Sequence, residues 1–138
     1  MTMTEIATNE GMSEFLRSTD YFHDALIREC ALVAVGFVDA ERRLYGDTEP
    51  FNARVFVQTQ AEDISGIEIE FEGVTRFHID QPFDLEPSGS IEQGQVLFSF
   101  TTGVRTEPQV IAKAMRYRVM DRTCLGERQF LTRVNSAW

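Results

Sequence analysis

The chain of 138 residues and 15.8 kDa is 43% hydrophobic and 25% charged, the balance of a globular domain able to bury a core without metals or disulfide staples. Thirteen basic residues against 22 acidic ones leave a net charge of −9, a field that repels nucleic-acid phosphates and anionic lipid and argues against both as partners. Cys30 and Cys124 are too few for a disulfide framework or a zinc ribbon. The acidic first twenty residues lack a signal-peptide core, and the longest apolar run, Cys30 to Val38, is far too short to span a membrane. A single domain in a reducing cytoplasm is the expectation.

In chain order, residues 1–11 are polar and read as a flexible arm, leaving 12–138 as one β-rich domain. Ser13 is placed to cap a short helix through Arg17, which Ser18 to Asp20 end. Ala25 to Val38 is apolar on both parities from Cys30 onward, a pattern that predicts a strand covered on both faces. Asp39 to Asn52, with Gly46 and Pro50, reads as a long connecting loop, and Ala53 to Gln60 as the next strand. After a turn at residues 63–66 comes the clearest signal in the chain. Ile67, Ile69 and Phe71 alternate with Glu68, Glu70 and Glu72, the period of a half-buried strand.

Gly73 marks a bulge or tight turn before Val74 to Ile79. Gln81 to Ser90 is a loop, Gln95 to Thr101 a strand, and Thr102-Gly103 a hairpin turn. Val110 to Met120 can be read two ways. Thr106, Pro108 and Gln109 suit a helix start, but a strand puts Arg116 and Arg118 on one face and Met115, Tyr117 and Val119 on the other, and strand is preferred. Gln129 to Val134 closes the chain as one more strand. The sum is a mainly β fold with at most one short helix, an antiparallel sandwich or partly open barrel.

Dinucleotide, P-loop, serine-elbow and metalloprotease motifs are all absent from the sequence. His23, Asp24, His78 and Asp80 are the remaining chemistry-bearing set. Imidazole nitrogen and carboxylate oxygen suit zinc, manganese or iron, although local hydrogen bonding by His23 and capping by Asp24 explain these residues without a metal. No cofactor is expected. Cys30, in the most apolar run, is expected to be a protonated, inert thiol.

Charge is uneven along the chain. Residues 1–100 carry 19 acids and six arginines, net −13, whereas residues 101–138 carry six arginines and Lys113 against three acids, net +4. C-terminal strands are therefore expected beside acidic ones, trading cross-strand ion pairs. The row Glu68, Glu70, Glu72 has two readings: a strand face balanced by Arg116 and Arg118, or a docking surface for a basic protein. Arg42, Arg43, Tyr45 and Phe51 form a second candidate contact, since Tyr and Arg anchor interfaces well.

Phe22-His23-Asp24-Ala25-x-Ile27 at a strand start and Phe71-Glu72-Gly73-Val74 in mid-chain resemble a pattern in small bacterial β-rich proteins of unassigned function, some grouped with immunity proteins of polymorphic toxin systems. The resemblance implies a compact, non-catalytic protein that neutralises a toxin by binding it. His23 and Asp24 would then be structural and Gly73 would make a turn; no contact residue carries over. The leading expectation is a binding module that meets a basic partner through its acidic face. A small metal-dependent β-barrel enzyme or ligand-binding protein built on the His/Asp set is the alternative, and a homo-oligomeric structural subunit a third.

Overall fold

The computed structural model describes residues 2–46, 50–61, 64, 66–101 and 107–120. Its eleven described strands and one described helix follow the order β1 (Thr4–Glu5), α1 (Asn9–Ser18), β2 (Leu26–Ala34), β3 (Phe37–Val38), β4 (Leu44–Tyr45), β5 (Phe51–Gln58), β6 (Gly66–Val74), β7 (Arg76–Phe77), β8 (Ser88–Glu92), β9 (Gln95–Ser99), β10 (Val110–Ala112) and β11 (Ala114–Met120). All pairings are antiparallel. One sheet has the order β1-β11-β6-β5-β2 and a second β7-β10-β9-β8, while β3 and β4 pair only with each other. Neither sheet closes into a barrel, so the mainly β, sandwich-like expectation holds. The proposed turn at Thr102-Gly103 and the strand at Gln129 to Val134 lie outside the described residues.

Two short interruptions join the sheets. β6 passes into β7 at Thr75, and β10 passes into β11 at Lys113, so the ladder β6·β11 continues as β7·β10 and belongs to both sheets. Gly73, at φ +65°, lies at this bend, where a Cβ would stand 2.8 Å from Lys113 Cδ. A left-handed backbone beside a close neighbour suits glycine, and the turn expected at Gly73 is present. Lys113 N donates to Glu72 O and Thr75 N to Ile111 O, each 2.9 Å, so the backbone ladder persists through the corner.

The core lies between the sheets. Ile67, Ile69, Phe71 and Met115 from the first meet Val96, Phe98 and Val110 from the second, all essentially inaccessible. α1 closes one end. Met12, Phe15 and Leu16 form its buried stripe, the i, i+3, i+4 spacing of a helix with one covered face. Phe15 sits 5.8 Å from Phe22 and 4.5 Å from Tyr117 between ring centroids. Phe98 meets Phe100 edge-on at 4.9 Å, a favoured aromatic arrangement.

Residues 1–11 are not a flexible arm. Thr4 and Glu5 pair with Tyr117 and Arg116, Ile6 N donates to Met115 O, and Ile6 is buried. The helix cap is Thr8, whose Oγ1 accepts from Gly11 N at 3.0 Å, rather than Ser13. These anchors were invisible to periodicity because a two-residue edge strand is held by its backbone. α1 ends at buried Thr19, and Asp20, Tyr21 and Phe22 then take left-handed φ values of 52–56°. Such a run costs about 1–2 kcal/mol per residue; here it accompanies the burial of Phe22.

Buried Gln109 ties β9 to β10. Its Oε1 accepts from Phe100 N at 2.7 Å and Thr101 N at 3.0 Å, and its Nε2 donates to Thr101 Oγ1. Gln109 thus completes the hydrogen bonding of a buried strand end instead of opening a helix. Gln109→Ala strands two amide donors and is expected to lower stability by about 2–3 kcal/mol in urea unfolding, with little change in far-ultraviolet circular dichroism.

Candidate functional site

The glutamate row forms because β6 alternates about the sheet. With Ile67, Ile69 and Phe71 in the core, Glu68, Glu70 and Glu72 take the opposite face. On β11, Arg118 stands opposite Glu68 and Arg116 opposite Glu70. On β5, Phe56 stands opposite Glu68 and Arg54 opposite Glu70. Arg118 Nε donates to Glu68 Oε2, and Arg54 Nε lies 3.5 Å from Glu68 Oε1. Glu70 accepts from Arg54 Nε at 3.2 Å and Arg116 Nε at 2.6 Å. The Glu70 hydrogen bond and charge hold the Arg116 guanidinium above its ordinary pKa.

The cross-strand pairing expected of Arg116 and Arg118 is therefore present, with Arg54 as a third cation bridging two carboxylates. Sequence reasoning missed Arg54, although its alternation with Val55 in the second strand carried the signal. Glu68 is completely buried, on the face that also holds buried Phe56 and Met120. Glu72 is exposed. Three carboxylates thus face three guanidiniums, so the face carries no excess negative charge, and only Glu72 of the row presents its carboxylate openly to a partner. Burial of Glu68 requires this pairing, because an uncompensated buried charge is strongly destabilising.

The histidines do not converge. His23 Nδ1 lies 3.1 Å from Asp24 Oδ2, and His78 Nε2 lies 2.6 Å from Asp80 Oδ1, as two separate local pairs. A cleft lined by His23, Asp24, Leu26, Gln60, Phe83 and Glu86 includes neither His78 nor Asp80. Among the described residues no three His, Cys, Asp or Glu side chains are grouped to hold a metal. The single four-residue metal site of the alternative reading is not formed.

The apolar run expected to be covered on both faces is instead at an edge. β2 is the terminal strand of its sheet, and β3 and β4 extend the β2/β5 hairpin into an arm whose tip replaces the expected loop over 39–52. Along the arm Leu32, Val33, Val35, Phe37, Val38, Leu44, Tyr45 and Phe51 are all exposed, Phe37 by 60% and Leu44 by 61%. The Phe37 and Tyr45 rings stack at 5.2 Å. Asp39 Oδ1 accepts from Glu41 N and Arg43 N, each 2.9 Å, which fixes the tip turn, and Arg42 takes φ +67° within it. Arg43 pairs with Glu41 at 2.9 Å. The arm thus joins Arg42, Arg43 and Tyr45 of the second candidate contact to apolar residues that hydropathy alone assigned to the interior.

Cys30 lies at the base of the arm. The residue is exposed overall, but burial of its thiol, and next the charge of Glu29, push its pKa up to about 11. It is therefore protonated near neutrality, as expected.

No protein-family model matches the chain, and neither does any curated protein or solved structure. Among the described residues no helix is long and apolar enough to cross a membrane.

The paired network makes a contrast between neighbouring glutamates. Glu68→Ala leaves Arg118 without its carboxylate in a buried setting and is expected to cost about 3–5 kcal/mol in chemical denaturation. Glu72→Ala, on an exposed carboxylate, is expected to change stability by less than ~0.5 kcal/mol.

Proposed function

We propose that the protein is a binding module that engages a protein partner through the tip of the β3/β4 arm. The observation that carries this reading is the exposed, ordered apolar surface there. Val38, Leu44 and the stacked Phe37 and Tyr45 stand open beside Arg42 and Arg43, on a turn held by Asp39. Aromatic and arginine side chains on a preorganised turn are the groups that most often dominate binding energy. Exposed apolar patches of this kind mark interaction sites more often than they occur by chance on a monomer's surface.

The net charge of −9 supports a basic partner, drawn in by the protein's long-range field. Contact at the tip itself is apolar, because the glutamate face is internally neutralised. The reading also fits the resemblance to immunity proteins of polymorphic toxin systems, which act by binding a toxin rather than by catalysis.

The test is affinity capture from lysate of the source organism with wild type, Leu44→Asp and Glu72→Lys. A protein captured by wild type and Glu72→Lys, then purified and found to bind Leu44→Asp at least ~10-fold more weakly, is the expected outcome. Capture that survives Leu44→Asp but is lost with Glu72→Lys would return the contact to the glutamate face and contradict the tip.

A further inference from the structure

We infer that the free edge of β2 and β3 pairs with the same edge of a second copy of this chain, giving a two-fold dimer with one sheet continuous across both protomers. The proposal goes beyond the partner reading, which uses the opposite leg of the arm.

Among the described residues no strand pairs with β2 on its outer side. A loop contact, Ile27 N to Pro82 O at 2.7 Å, occupies only its beginning. Edge strands ordinarily carry lysine, proline or inward charge to prevent pairing with another chain. From Cys30 to Val38 this leg has no charged residue and no proline, in a chain of net charge −9. It is apolar on both faces, with Leu32 beside Ala53 on one and Val33 beside Asn52 on the other. An uncharged strand of this kind is complementary to itself, and an antiparallel two-fold sets the uncharged stretch against its own copy.

The area is sufficient. Leu32, Val33, Val35, Phe37 and Val38 are each 41–62% exposed. Together they offer on the order of 450 Å², more than half of the ~800 Å² each partner gives to a standard interface, before the strand's backbone is counted. Backbone hydrogen bonds along the edge would add the register-setting part of the contact.

Sedimentation equilibrium of the full chain tests the proposal. Wild type is expected at twice the 15.8 kDa chain mass. Val35→Lys, which places a charge on the free edge, is expected to weaken the dimer at least ~100-fold while leaving circular dichroism unchanged, with Leu32→Asp as a second variant should Val35→Lys not fold. Tyr45→Ser, on the other leg, is expected to leave the dimer intact and so separates this proposal from the partner reading. A wild type that stays monomeric to about 200 μM overturns the dimer. If hydrogen exchange then finds the β2 amides protected in that monomer, another part of the same chain covers the edge. A dimer that resists both Val35→Lys and Leu32→Asp also overturns it, since the contact would lie elsewhere.

Discussion

The ribbon formed by β6–β7 against β11–β10 belongs to both sheets, and the placement of every other element follows from it. Its backbone ladder is unbroken through the corner at Gly73 and Lys113. The two layers are therefore held at a fixed spacing before any side chain packs. Phe71 and Met115 from one arm of the ribbon and Val110 from the other then share a single core with Phe98. α1 seals the end through Phe15, and Gln109 satisfies the strand end that the ribbon leaves behind. β5 and β2 extend the first sheet away from the second, where the second sheet no longer covers them. Their outer halves become an exposed arm for that topological reason.

The same ribbon accounts for the charge pattern. Pairing β6 with β11 brings the acidic part of the chain against the basic C-terminal part, with Arg118 and Arg116 in register with Glu68 and Glu70. Arg54 adds a second cation to each carboxylate from the other side. The pairing compensates a buried carboxylate and specifies strand register, because a shift of one residue would turn the glutamates into the core. What first reads as a docking surface is mainly a device of the fold, and the free apolar surface lies on the arm instead.

Much of the fold was legible from local pattern. The Ile/Glu alternation located β6, the Arg/Tyr/Val alternation located β11, and Gly73 located the bend. Legibility failed where identity of pattern conceals a difference of place. Cys30 to Val38 has the composition of a central strand, but apolar residues on both faces describe equally well a strand covered by its own molecule and one awaiting another. Residues 1–11 failed for the opposite reason, since β1 is secured by backbone bonds and one buried Ile6. The His/Asp pairs were legible as pairs, but whether they converge depends on topology, which their spacing does not encode.

The account depends on the arm being surface and not interior, and paired substitutions on neighbouring strands decide that directly. Val33 on β2 is 41% exposed, whereas Val55 on β5 is fully buried. Circular dichroism and urea unfolding of Val33→Asp and Val55→Asp should give a folded protein for the first and a loss of the cooperative fold for the second, where a charge enters the core. If Val33→Asp unfolds the chain as Val55→Asp does, the apolar run is core after all and the arm is not an interface.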